Sequence, residues 1–222
     1  ADSPAMAEEL ARSLVTVANG AGLPTRAWIT DMNQVLGDTC GNALEVQEAV
    51  AFLQGSRREP RLLEVTRTLS AELLQLGGLA PDMAQALQQV DRALESGHAL
   101  EHFARMVSAL GGPADFCDRP ARYLAAAPAQ CVVKAPADGW VTGMATREIG
   151  LQVVQLGGGR RMASDTVDAR VGMTGFAQIG QRVQAGDPLA NVHAASIEAA
   201  RACADALQTL VHIGNQALTC TP

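Results

Sequence analysis

Only one lysine, Lys134, occurs in the chain, and every other basic side chain is an arginine. Any chemistry that needs a primary amine must therefore use Lys134 or do without. Positive charge is in deficit overall: the formal net charge is −6, so no basic field exists for nucleic acid or an anionic membrane. Long apolar runs are missing, and nothing approaches the roughly 18 residues that a membrane span requires. The N-terminal residues show no basic segment leading into an apolar one, so the reading expects no signal peptide and a cytoplasmic protein. Five cysteines (Cys40, Cys117, Cys131, Cys203, Cys220) are scattered without a CxxC or Cys/His cluster, which argues against a zinc site or disulfide frame and for reduced thiols. GxSxG, HExxH and Cys–His signatures are also missing. The residues show no complete catalytic apparatus, and no catalytic residue is assigned.

What is present is a chain of 222 residues, 48% hydrophobic, which is enough to build one or two real cores. It divides in two. Residues 1–118 read as helices with one strand. Ser3 and Pro4 open a helix carrying Met6, Leu10, Leu14 and Val17 at helical spacing. A strand is expected at 26–30. Asn42 is expected to cap the next helix, with Glu45 three residues on as a capping box. Pro60 and Pro81 each open a further helix, and another runs over about 99–110. One strand cannot make a sheet, so this half expects its sheet partners from elsewhere. Residues 119–222 are turn-rich and glycine-rich. Here "CVVKA", "GWVTGM", "LQVVQL", "DARVGM" and "QRVQAGDPLANVHA" read as strands of an antiparallel module, closed by an amphipathic helix over about 195–212.

Three features invite a functional reading and each has a plain one. "GGGRR", Gly157, Gly158, Gly159, Arg160 and Arg161, could cradle phosphate through freed backbone N–H groups or be a glycine turn with solvated arginines. It lacks the spacing of a P-loop or a dinucleotide fingerprint. "GQRVQAGDPLANVHA" is similar to the closing hairpin of lipoyl and biotinyl carriers. Those need a lysine at a hairpin tip, and Lys134 stands before the first turn, so a related fold without the prosthetic group is the better fit. His98 and His102 are four apart and could share a helix face, but no acidic or cysteine partner completes a site. They and His193 and His212 read as exposed or structural.

The stretch "WITDMNQVLGDTCGNALEVQEAV", 28–50, is more pointed. A polar loop between a strand end and a helix is where α/β proteins place ligands. Main-chain carbonyls at Leu36 and Thr39 facing the Glu48 carboxylate would make an oxygen-only site for a hard or weakly hydrated cation. The alternative is a solvated loop beside a surface glutamate.

"TDMNQVLGDTCGNALEVQEAVAFLQG", "PRLLEVTRTLSAELL" and "GGGRRMASDTVDARVGM" resemble the thymidine and pyrimidine-nucleoside phosphorylase family. The similarity runs from about Met6 to His193 and corresponds to the C-terminal half of such an enzyme. It implies the end of an α/β domain with a parallel-sheet remnant over 1–118, then a β-rich module over 119–222 with a barrel-sandwich-like antiparallel sheet. It also implies reversible phosphorolysis of thymidine, with pyrimidine nucleoside and phosphate as substrates and no organic cofactor. Leu36, Thr39 and Glu48 match ligands of a potassium ion, and Gly157–Arg161 match a domain-closure loop. The segments holding phosphate and base lie upstream in the family, so an N-terminal half is the expected partner and the chain alone is expected to be inactive. A homo-oligomer is expected. A non-catalytic remnant or a lipoyl-like binding module is the alternative.

Overall fold

The computed structural model describes residues 3–217; Cys220, counted above, lies outside them. Helix α1 (Pro4–Gly20) is capped by Ser3, whose hydroxyl accepts the Met6 N–H at 3.3 Å. None of its residues is buried, and Met6, Leu10, Leu14 and Val17 face outward. The chain then runs extended through 23–30. The strand expected at 26–30 does not form: among the described residues no strand pairs with it, and extended backbone without a ladder is not a strand. Side chains hold it instead. Glu72 on α3 (Pro60–Leu76) accepts from Arg26 at 2.6 Å and from the Trp28 indole at 3.2 Å, and Arg26 also reaches Gln75 at 3.0 Å.

Strand β1 (Thr39–Cys40) leads into α2 (Asn42–Gln54). The cap is one residue earlier than expected. Gly41, not Asn42, is the N-cap, and the Glu45 carboxylate accepts the Gly41 N–H at 2.9 Å from four residues on, so the expected capping box between Asn42 and Glu45 does not form. The Asn42 amide is turned away to the Gly158 carbonyl, 2.7 Å distant. Glu59 caps α3 ahead of Pro60 through two main-chain N–H groups. Helix α4 (Met83–Glu95) starts after Pro81 rather than at it, because the Asp82 side chain accepts the Gln85 N–H at 2.8 Å and sets the cap there. Helix α5 (His98–Ala109) follows. Phe52, Ala71, Ala86, Val90 and Leu94 form the core of this helical layer, and Arg67 joins Asp91 across α3 and α4 through two hydrogen bonds of 2.5 and 2.6 Å.

The second half begins with a short helix, α6 (Pro120–Tyr123), then β2 (Ala129–Lys134), β3 (Gly139–Met144) and α7 (Thr146–Gln155). The segment "LQVVQL", expected as a strand, lies mostly in α7. Ile149 is fully buried, Val153 and Leu156 pack on the same core, and Leu151 is exposed, which is helical spacing. A short apolar run does not separate the two periods by itself. Then come β4 (Gly172–Thr174), β5 (Arg182–Val183), β6 (Pro188–Ala194), α8 (Ile197–Leu210) and β7 (Val211–Gly214). They form two sheets, ordered β1-β4-β6-β2 and β5-β3-β7. Every pairing among the described residues is antiparallel, so the expected parallel remnant is not seen, and neither sheet closes into a barrel. The mixed α/β class holds. Val133, Val141, Met173, Leu189, Val192 and Leu207 put both sheets and α8 on one core. No described helix is long and apolar enough to cross a membrane.

The edge pairing of β1 with β4 (Thr39 opposite Thr174, Cys40 opposite Met173) joins the two halves. It ends in a close backbone approach. At Gly172 (φ +150°) a β-carbon would sit 2.2 Å from the Cys40 carbonyl oxygen, and at Gly41 (φ +143°) one would sit 2.6 Å from that of Val171. Only glycine fits at either place.

The Glu72 latch has a pH signature. Hydrogen bonding from Arg26, then from Trp28, holds its carboxyl below the ordinary value of 4.5. Its contribution is therefore complete above about 4.5 and is lost as pH falls through the lowered value. Trp28 fluorescence should report release of the 26–28 segment on acidification, and Glu72→Gln should remove that transition; an unchanged acid transition in the variant would assign it to other groups.

Candidate functional site

A cavity of about 580 Å³ opens between the 32–40 loop, α2 and α7, with Met32, Leu36, Cys40, Glu48, Arg147 and Ile149 on its walls. Leu36, Thr39 and Glu48 all line this cavity. The loop wraps the carboxylate closely. Glu48 Oε1 accepts the Asp38 N–H at 2.8 Å, and Oε2 accepts the Thr39 hydroxyl at 2.5 Å. Gly37 has φ +76°, and a β-carbon there would come within 2.6 Å of Oε1, so glycine is required for the wrap. Burial pushes the Glu48 carboxyl above its ordinary value, and the Thr39 hydrogen bond opposes that rise. The glutamate is thus a half-buried, hydrogen-bonded group and not a solvated surface side chain.

Asp38, which the sequence reading passed over, is part of the same structure. Its side chain is buried, and Oδ2 pairs with Arg57 just beyond α2. Oδ1 is buried without a hydrogen-bond partner, so the Arg57 charge is what offsets its burial. The Asp38 carbonyl accepts the Phe176 N–H at 3.2 Å, and the Gly37 carbonyl accepts the Gln178 side-chain amide at 3.2 Å. Gln178 is 141 positions from Gly37, a separation at which no sequence spacing signals contact. Arg57 could have been suspected only as a charge close in sequence to the loop.

The donors suit a weakly hydrated cation. They are all oxygen, and each Glu48 oxygen accepts a hydrogen bond, one from the Asp38 N–H and one from the Thr39 hydroxyl, while keeping lone-pair capacity. Among the described residues no group of three or more His, Cys, Asp or Glu side chains gathers as a metal site. Cys40 is no nucleophile: burial, then the nearby Glu45, pushes its thiol up to about 11.

The glycine-rich stretch is placed elsewhere and its shape has local causes. Gly157 (φ +96°) ends α7, with its N–H on the Val154 carbonyl and that of Gly158 on the Val153 carbonyl, a Schellman cap. A β-carbon at Gly158 would meet Val153 Cγ1 at 2.7 Å, and one at Gly159 would meet Val154 Cγ2 at 2.8 Å. Two of the N–H groups that a phosphate cradle would use are therefore committed to the helix end. Arg160 and Arg161 are exposed on a turn held by Asp165, whose carboxylate accepts the Arg161 and Met162 N–H groups at 3.0 and 2.9 Å. The Asn42–Gly158 bond ties this loop to the start of the helix that carries Glu48.

Of the histidines, His98 and His102 lie on α5 and His212 on β7. His193 meets the Thr174 hydroxyl at 2.9 Å and is lowered by burial. Lys134 ends β2, ahead of the turn to β3 and not on a hairpin tip.

Residues 5–100 match the family described as "Glycosyl transferase family, a/b domain", and residues 140–214 match "Pyrimidine nucleoside phosphorylase C-terminal domain". Among curated proteins, "Thymidine phosphorylase" of Burkholderia orbicola (strain MC0-3) is 54% identical over 200 residues, which is 90% of this chain and 46% of that protein. The protein of the same name from Rhizobium meliloti (strain 1021) is 49% identical over 213 residues, 96% of this chain and 48% of that protein. The chain spans about half the length of the curated relatives it matches.

Thr39→Val keeps the volume and β-branching but removes the Glu48 hydrogen bond. It should cost about 1.5–3 kcal/mol, the usual range for a hydrogen bond to a charged group. In a chain of this size that is a fall of roughly 3–12 °C in melting temperature. A melting curve that superimposes on the native one would show that the hydroxyl is not what holds the carboxylate.

Proposed function

We infer the activity from one premise: the chain belongs to the thymidine and pyrimidine-nucleoside phosphorylase family. It is the C-terminal part of a thymidine phosphorylase, which catalyses reversible phosphorolysis of thymidine to thymine and 2-deoxyribose 1-phosphate. Residues 1–118 serve as the end of the α/β domain and 119–222 as the family's C-terminal module, with the two sheets as its barrel-sandwich-like part. In that reaction phosphate attacks C1′ while the base departs. A catalyst must hold an anion against an oxocarbenium-like centre and stabilise charge on the leaving base. This chain's single lysine, on β2, is not near the Glu48 loop in sequence and is not on the cavity wall. The phosphate- and base-holding groups therefore come from an N-terminal half, in the same or a separate polypeptide.

The observation that carries this reading is the convergence of Leu36, Thr39 and Glu48 on one cavity. Glu48 and the Leu36 and Thr39 main-chain oxygens would hold potassium, which supplies positive charge beside the phosphate when bound. This chain's own contribution is to keep the carboxylate desolvated, oriented by the Asp38 N–H and the Thr39 hydroxyl, and opposite a mostly apolar wall. Arg160 and Arg161, on their turn beside the start of α2, act in domain closure and not in the chemistry. The exposed apolar residues of α1 and the unpaired 26–30 segment, with Trp28 and Ile29 each 53% exposed, are the surface that meets the N-terminal half. In its absence this surface drives self-association of a cytoplasmic protein.

The chain alone should be inactive with thymidine and phosphate and should gain activity when mixed with a separately expressed N-terminal half. In the complemented enzyme Glu48→Gln should lower activity or abolish potassium dependence, and unaltered kinetics would remove the cation assignment. Replacing Arg160 and Arg161 by alanine should reduce turnover with little change in melting temperature. A lower melting temperature with normal turnover per folded molecule would make that loop structural.

A further inference from the structure

The Glu48 carboxylate is oriented by groups from its own half of the chain, the Asp38 N–H and the Thr39 hydroxyl. The peptide that carries the Asp38 N–H has another end. Its oxygen is the Gly37 carbonyl, and that oxygen accepts the Gln178 side-chain amide at 3.2 Å. We infer that Gln178 is a positioning residue for Glu48, acting through the 37–38 peptide and not by contact with the carboxylate; as to function, this deepens and rests on the cation reading given above.

The physical reason is planarity. A trans peptide keeps its C=O and N–H in one plane and pointing in opposite directions, so fixing the oxygen fixes the aim of the hydrogen. The lever matters here because Gly37, at φ +76°, has more backbone freedom than any other residue type would have. Left alone, a glycine peptide can rotate and withdraw its N–H from the carboxylate. Gln178 is itself held. Its amide also donates to the Phe176 carbonyl at 3.2 Å, and its main-chain N–H donates to the Gln181 side chain at 3.1 Å. Phe176 is 4% exposed in the core shared by both sheets, and its N–H donates to the Asp38 carbonyl at 3.2 Å. The 176–178 segment thus pins two successive loop carbonyls, those of Gly37 and Asp38, from the β module. The orientation of a carboxylate on α2 is set from beyond β4.

Gln178→Met in the full chain keeps the side-chain length and removes the donor. Amide hydrogen exchange and the Glu48 side-chain carboxyl carbon resonance, both by NMR, read the result in the absence of potassium and of any substrate. The Asp38 amide should exchange at least about tenfold faster in the variant, with Val133 and Val192 in the sheet core unchanged. The Glu48 resonance should move while that of Glu45 stays. Asp38 exchange within twofold of native, a stationary Glu48 resonance, or equal acceleration at Val133 and Val192 would each overturn the inference. Neither readout involves the cation, so failure of the cation reading, which the Glu48→Gln kinetics detects, is separable from failure of this one.

Discussion

A carboxylate taken half out of water must be given donors, and the turn around Glu48 is built to give them. The Asp38 N–H and the Thr39 hydroxyl take one oxygen each, and only glycine at 37 lets the backbone come close enough. Much of the surrounding structure follows from keeping that turn in place. Arg57 anchors the Asp38 side chain, Phe176 and Gln178 anchor two carbonyls, and β1 continues from the turn into the sheet. The turn is consequently a joint between halves that composition separates. Its conformation depends on α2 on one side and on the strands beyond residue 170 on the other.

The joint tolerates almost no added volume. Gly41 and Gly172 face each other where β1 meets β4, and a side chain on either would run into backbone. Backbone cannot move aside as a flexible side chain can, so these two positions fix the distance between α2 and the second sheet. The contacts of Asn42 with Gly158 and of Ala43 with Ala169 repeat the constraint one step further on. The start of α2 therefore touches the glycine-rich loop, and the body of α2 carries Glu48. One helix spans the candidate cation site and the candidate closure loop, which gives motion of that loop a physical connection to the carboxylate.

The helical layer presents the opposite situation. Its own core is well formed around Ala71, Ala86 and Val90, but α1 buries nothing and the 26–30 segment has no ladder. Apolar residues at helical spacing on α1 cost little to expose singly and much to expose together. Glu72 reaches Arg26 and Trp28 and so retains the extended segment beside α3 without a sheet. The segment is thus extended backbone held by side chains, with no ladder among the described residues.

Local chemistry was legible in the sequence where short range decides. Ser3 and Pro4 open α1 as their types require, Pro60 opens α3, and the turn-rich second half does build antiparallel strands. Leu36, Thr39 and Glu48 could be grouped because they lie within thirteen residues and are bridged by a loop and one helical rise. Period alone could not decide "LQVVQL", since six apolar-rich residues fit either a strand or a helix until Ile149 and Val153 find the same core. Neither could it decide 26–30, because a strand exists only when a partner accepts its hydrogen bonds. The cap of α2 falls at Gly41, and the Asn42 side-chain amide donates instead to the Gly158 carbonyl 116 positions away. Gln178, 141 positions from Gly37, and Phe176 belong wholly to the tertiary structure. The sequence by itself determined where α1 and α3 open and that the second half builds antiparallel strands, because capping and turn chemistry act over a few residues. Only the packed chain decided which distant groups aim the Glu48 carboxylate, because a hydrogen bond depends on separation in space and carries no trace of separation along the chain.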